Sequence, residues 1–340
     1  MEQSRNVFLN SYFPNDLTNA LQSQILLPVS LLIGFYISRI SSLIAARILS
    51  WLLAIGGITA MHLYTIDQPA GFRMIAIIGI TLFTMKTIVV CEVQQAKKIR
   101  LGFFQWIGFA CFWVGMRPAL FFKVPRSPRP DHLRFMRQGS RNIFIGLILI
   151  AVSRLTWDTT IIRYEPYKLF LVTCFLLPGI SLTMHFGFFN LLTGVWRYLG
   201  ADANMIFREP IKSRSLSEFW GKRWNLAFSE MTTLALYRPI RARWGTLPAT
   251  LLAFLFSGLL HELAISLPVR SGYGLPLTYF AMHGAAMLVE TQIPWIENAF
   301  SRKPVLGRIW TISWILLPLP ILFHQPFLRQ IVWPIIGIEL

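Results

Sequence analysis

The chain has 340 residues, of which 54% are hydrophobic and only 14% charged, with a formal net charge of +17. Soluble domains carry about 25% charged residues, so this composition excludes an ordinary soluble domain and points to an integral membrane protein. The basic excess would suggest nucleic acid in a soluble chain. Here the cations gather between apolar runs, where the positive-inside bias puts them, and no nucleic-acid partner is expected.

Runs near the ~20 residues needed to cross a bilayer follow in chain order. They occupy Leu21–Ser38, Leu43–Leu63, Phe72–Val90, Leu101–Phe122, Asn142–Trp157, Tyr167–Phe189, Thr246–Pro268, Leu275–Ile293 and Ile309–Phe323. The fold class expected is an all-α polytopic membrane protein with eight or nine transmembrane helices and a cytoplasmic-side amphipathic helix. Before the first run lies a polar stretch with Glu2, Arg5 and Asp16 and no basic start, so that run is expected to stay as an anchor. Cys91, Cys111 and Cys174 form no C-x-x-C pair and read as packing residues.

Placing the Arg39 turn, Lys97–Arg100, Lys123–Arg141, Arg197–Arg243 and Arg302–Arg308 on the cytoplasmic side collects most of the Lys and Arg. Leu101–Phe122 is then flanked by basic segments on both sides. It is therefore expected to be re-entrant or interfacial, which suits its Phe, Trp and Gly content. "VPRSPRP" (124–130) is a proline-rich basic connector. No internal repeat appears, and residues 1–340 read as one membrane-embedded domain with a motif-bearing core at about 200–293.

The long polar stretch Gly200–Trp244 contains "FWGKRWN" (219–225). Ser215 and Glu218 have capping-box spacing, and Leu216, Phe219, Trp220, Trp224, Ala227, Met231 and Leu234 recur every three or four residues. The spacing predicts one amphipathic helix. At about 100° per residue it sets Asn225 opposite the apolar stripe and Arg223 along its edge. An interfacial helix with snorkelling cations accounts for this pattern, and so does an asparagine pointing into a reaction chamber.

"FSGLLHELAISLP" (256–268) places His261 and Glu262 near the middle of an apolar run. Ionisable groups at that depth cost at least ~2.5–3.5 kcal/mol when charged and are functional candidates. The two side chains point about 100° apart, so only one need be catalytic. Ser257 lies one turn before His261 on the same face, placed to fix its tautomer.

These stretches carry a resemblance. "LSEFWGKRWN" followed by "SGLLHEL" is similar to the plant-type wax synthase family, relatives of the membrane-bound O-acyltransferases, and "AMHGAAMLVE" (281–290) resembles that family's next helix. The resemblance implies an acyl-CoA:alcohol O-acyltransferase whose buried histidine is matched by His261. The asparagine ending the family's W-x-x-x-W-N type motif is matched by Asn225. Diacylglycerol acyltransferases look similar at the same two places.

Acyl transfer to an alcohol needs a base for the hydroxyl proton, and imidazole serves at neutral pH. That role falls to His261, with Asn225 stabilising the developing oxyanion or orienting a partner. Substrate-binding candidates are Trp220, Arg223, Trp224, Glu262, Ser257, His283 and Glu290. Arg214, Lys222, Arg238, Arg241 and Arg243 are candidates for docking the CoA phosphates. Expected partners are acyl-CoA as co-substrate, a hydrophobic alcohol and membrane lipid; no metal or other cofactor is called for. His283 and Glu290, seven apart, share a helix face and also fit a contact between helices.

Three other classes fit the sequence less well, one of them a catalytically silent membrane scaffold, which gives no reason for both motifs to be present. A polytopic transporter with His261 and Glu262 as a proton relay is the alternative, without the repeated halves such folds show. A prenyltransferase is disfavoured because the aspartates are scattered, with no D-x-x-x-D pair.

Overall fold

The computed structural model describes residues 2–97, 100–122, 127–293, 300 and 302–339. It is built from helices, with no strand among the described residues. Among the described residues seven helices are long and apolar enough to cross a membrane: Leu17–Ile37, Leu43–Tyr64, Ala70–Gln94, His132–Asp158, Glu165–Tyr198, Thr246–Val269 and Pro304–Leu322. Large apolar side chains such as Leu52, Ile55, Phe144 and Leu155 are exposed on them, as lipid-facing surfaces require. The chain is a multi-pass integral membrane protein.

Leu275–Gln292 also forms a continuous helix, but it falls outside these seven. The Leu101–Phe122 run does not form a spanning helix. Its helix, Phe103–Cys111, has 9 residues, about 13 Å against a hydrocarbon core of about 30 Å. A short 3-10 turn follows at Pro118–Phe121. Of the proline-rich connector, residues 124–126 lie outside the described residues, as do Lys98, Ile99 and Lys123 in the neighbouring basic segments.

The contacts gather into two compact units. One comprises Met1–Leu9, Lys123–Phe207 and Ile331–Leu340; the other comprises Asn10–Phe122 and Arg208–Gln330. In the first, His132–Asp158 packs closely on Glu165–Ser181 and the π-turn that follows it. A Cβ on Gly146 would meet the Gly179 carbonyl oxygen at 2.7 Å, and one on Gly187 would meet Ile143. Arg197 binds Asp131 at 2.6 Å and Asp202 at 2.9 Å, tying two polar turns of this unit together.

The second unit contains both motifs. Its core joins Met61, Ala76, Ile77 and Ile80 to Leu26, Leu27, Ile58, Leu263 and Leu267, so the segment after His261 packs on the Ala70–Lys97 helix. Arg73, buried in that helix, donates to the carbonyl oxygens of Leu267 and Pro268. It thereby caps the C-terminal end of the histidine-bearing span. The Thr246–His261 and Leu275–Gln292 helices meet at glycines: a Cβ on Gly258 would lie 2.8 Å from Leu277 Cα, and one on Gly284 3.0 Å from Phe254 Cβ. This close approach sets His261 against Phe280.

Candidate active site

The first motif does not fold as one amphipathic helix. Ser215 caps a short helical turn as its spacing predicts, its Oγ accepting from the Glu218 amide at 3.0 Å. Glu218 closes the return half of the box one residue early, accepting from the Arg214 amide at 2.8 Å. Beyond it, Phe219–Arg223 widens into a π-turn, Trp224 is extended (φ −106°, ψ 128°) and Asn225 is left-handed (φ 43°, ψ 60°). A new helix runs from Leu226 to Thr232. The projection across 216–234 therefore fails, and with it the inference that Asn225 lies opposite the stripe: a chain reversal separates the two halves of the pattern.

The reversal explains why an asparagine stands at 225. Among non-glycine residues Asn enters the left-handed region most readily. Its Oδ1 also accepts from the Phe228 amide at 3.2 Å, capping the new helix. The Nδ2 group donates to nothing among the described residues and is left for another acceptor. Phe219 and Trp224 stack across the turn with centroids 5.5 Å apart and planes at 14°, while Ser229 Oγ donates to the Trp220 carbonyl at 2.7 Å.

His261 ends the Thr246–His261 helix, and the backbone continues as a π-turn over Glu262–Ser266. Its Nδ1 lies 2.7 Å from the Ser257 carbonyl oxygen. A carbonyl only accepts, so Nδ1 carries the hydrogen and Nε2 presents its lone pair. Ser257 thus does fix the tautomer, but through its backbone, which any residue would supply. The His261 ring packs on Phe280 at 4.2 Å, and Phe280 packs on Trp220 at 5.4 Å. One phenyl ring therefore joins the two motifs.

His283 repeats the device: its Nδ1 lies 2.8 Å from the Tyr279 carbonyl oxygen, and its ring meets Trp220 edge to face at 5.5 Å. Other candidates have structural partners. Glu290 accepts from the amides of Leu216 (2.8 Å) and Ser217 (3.2 Å) and from Trp310 Nε1 (2.7 Å). Glu262 Oε1 accepts from the Gly274 and Leu277 amides at 2.9 and 3.1 Å, capping the Leu275–Gln292 helix. Arg223 binds Glu218 at 2.6 Å. For Glu218, burial pushes the carboxyl up, but the Arg214 amide and Arg223 outweigh it and leave it below its ordinary value.

Arg238, Arg241 and Arg243 stand exposed on the Arg238–Trp244 helix, and Arg214 and Lys222 are exposed nearby in sequence. None of these five forms an ion pair among the described residues. Trp220 and His261 are brought together through Phe280, and His283 joins them through its edge contact with Trp220. Phe280 itself escaped the sequence reading, as did Tyr279 and Trp310, because an aromatic in an apolar helix has no distinguishing signal. Lys86 did have one, a lysine inside the Phe72–Val90 run.

Comparison with known proteins agrees with the motif positions. The Membrane bound O-acyl transferase family matches residues 203–281, which hold both Asn225 and His261. A long-chain-alcohol O-fatty-acyltransferase from Simmondsia chinensis is 38% identical over 119 residues, covering 32% of this chain and 33% of that protein. A probable long-chain-alcohol O-fatty-acyltransferase 6 from Arabidopsis thaliana is 27% identical over 237 residues, 64% of each chain. A probable long-chain-alcohol O-fatty-acyltransferase 3 from the same plant is 24% identical over 304 residues, 78% of this chain and 85% of that one. The chain thus spans just under two thirds of the first of these Arabidopsis relatives and a third of the Simmondsia protein. None of these relatives supports the transporter alternative. The chain is thus similar to the Membrane bound O-acyl transferase family over residues 203–281, and over longer stretches to plant long-chain-alcohol O-fatty-acyltransferases.

Proposed function

We propose that the protein transfers an acyl group from acyl-CoA to the hydroxyl of a hydrophobic alcohol, with His261 as general base. The observation that carries this is the hydrogen bond from Nδ1 of His261 to the Ser257 carbonyl oxygen, which leaves Nε2 as a fixed acceptor beside an apolar ring. Nε2 takes the hydroxyl proton while the alcohol oxygen bonds to the thioester carbon. The tetrahedral intermediate then collapses, the C–S bond breaks, and the imidazolium returns the proton to the departing thiolate. The products are an ester and free CoA.

The Asn225 amide supplies a donor for the oxyanion, a role supported by its unused Nδ2 and by the backbone that fixes its position. Phe280, Phe254 and Trp220 line the neighbourhood with rings that exclude water, the nucleophile competing for the thioester. Arg214, Lys222, Arg238, Arg241 and Arg243 serve to attract the CoA phosphates from the cytoplasmic side, where the charge bias would place them. The relatives' names point to long-chain alcohols as acceptors.

The test is CoA release by the protein in membranes, with acetyl-CoA to palmitoyl-CoA offered against fatty alcohols, sterols and diacylglycerol. Alcohol-dependent release that falls about 10²–10⁴-fold in His261→Ala supports the assignment. Equal turnover in the two proteins removes His261 as base.

A further inference from the structure

Lys86 sits within a membrane-spanning helix at 0% exposure, yet the proposed reaction makes no use of it. Its ammonium donates to three carbonyl oxygens, those of Phe109 at 3.1 Å, Trp113 at 2.7 Å and Gly115 at 2.5 Å, and lies 4.0 Å from the Phe109 ring centroid. All three donors are thus spent on one side of the Leu101–Phe122 segment, at the C-terminal end of its short helix and just after it. The rest of that segment is pinned as well. Trp106 Nε1 donates to the Leu31 carbonyl at 3.0 Å, Gln105 Nε2 to Phe122 at 3.2 Å, and Phe109 packs on Phe121 at 5.5 Å.

Two residues beyond Gly115, Arg117 reaches out of the segment and binds Glu230 at 2.6 Å. Glu230 belongs to the Leu226–Thr232 helix, the helix that Asn225 caps. The buried lysine, the folded segment and the Asn225 helix therefore form one continuous set of contacts.

We infer that residues 101–122 act as a strap that holds the Asn225 helix in place, with Lys86 as its anchor and the Arg117–Glu230 pair as its clasp. Arg117 and Glu230 are positioning residues: they act through the helix that Asn225 begins. This inference rests on the acyl-transfer reading for its effect on turnover, and on the geometry alone for its effect on the helix. The clasp is well suited to testing because the Arg117 side chain is 56% exposed, and an ion pair so placed adds little to global stability.

The experiment compares Arg117→Glu, Arg117→Lys and Lys86→Met with the parent protein, reading amide hydrogen exchange over residues 226–232 together with kcat and KM. Arg117→Glu sets two carboxylates against each other. It is expected to speed exchange over 226–232 about tenfold and to lower kcat about tenfold, with KM for the alcohol within twofold. Arg117→Lys keeps the charge and holds both readouts within threefold of the parent. Lys86→Met loosens 103–121 and 226–232 together. Unchanged exchange over 226–232 in Arg117→Glu overturns the strap, as does a Lys86→Met protein in which only 103–121 loosens. If the parent shows no acyl transfer, the exchange arm still decides the strap, and the failure belongs to the functional reading.

Discussion

The carboxylate of Glu290 accepts the Leu216 amide at 2.8 Å, across 74 positions of the chain. With the Ser217 amide and Trp310 Nε1 on the same group, it joins the start of the first motif to two later helices. Glu290→Ala leaves three donors facing a gap, each costing ~1–3 kcal/mol if buried unpaired. A loss of about 3 kcal/mol or more is expected, read as a lowered Tm in detergent. Glu290→Gln retains acceptor capacity at one oxygen and should fall between the two. Equal Tm values for all three proteins would refute the junction.

Asn225 combines three properties that substitutions separate. Asn225→Asp keeps the acceptor oxygen of the cap and tolerates the left-handed backbone, but it loses the Nδ2 donor. Asn225→Gly keeps the backbone and loses both side-chain roles at a cost of a few tenths of a kcal/mol. Both variants are expected to fold with Tm close to the parent and to lose about 10²–10³-fold in kcat. Full turnover in Asn225→Asp would show that the cap, and not the amide donor, is what the reaction needs.

Ser257 gives a sharp negative expectation. The tautomer of His261 is set by the carbonyl oxygen of residue 257, so Ser257→Ala leaves that bond intact. Turnover within about twofold of the parent is expected, together with an unchanged pH profile. A large drop in kcat would mean that the hydroxyl acts on substrate directly.

How much of this was legible beforehand depends on the kind of signal. The spanning helices were, because hydropathy over ~20 residues is summed along the chain and needs no knowledge of neighbours. The Ser215 cap was, being a contact three residues long. The break at Trp224–Asn225 was not, because the apolar period runs through it and only the positive φ of Asn225 betrays the reversal. The docking of Glu290 on Leu216 and the Phe280 bridge between His261 and Trp220 are tertiary contacts, written by helix crossings at Gly258 and Gly284 that spacing along the chain does not encode. Lys86 was legible in kind and overlooked: a cation in an apolar run announces a partner, though not which one.

Glu218 fixes the sense of one pH dependence. Its folded carboxyl lies below its ordinary value because the Arg214 amide and Arg223 outweigh the opposing effect of burial. A depressed folded pKa contributes stability that is present above the unfolded value of ~4.3 and is lost as pH falls through the folded one. The motif should therefore hold through neutral pH and loosen only below about pH 4. Hydrogen exchange over 215–225 as a function of pH would show it. In Glu218→Gln that acid-side rise should disappear, and a rise that persists would assign it to another group.

Gly258 is where the histidine helix comes closest to its partner. A methyl group there would sit 2.8 Å from Leu277 Cα and as close to Leu277 Cδ1, so backbone must move and rotation of one side chain is not enough. Gly258→Ala is expected to cost ~1–3 kcal/mol as an overpacked site. The displaced helices carry His261 and Phe280, which stand one turn beyond the contact on either side. A shift of about 1 Å at the reacting groups is worth about 10²-fold in rate. Gly258→Ala should therefore lower kcat far more than its modest fall in Tm would suggest, while Gly221→Ala, where an added Cβ meets nothing within 4 Å, should leave Tm unaltered. If the two alanine variants behave alike, the Gly258 crossing does not set the position of His261.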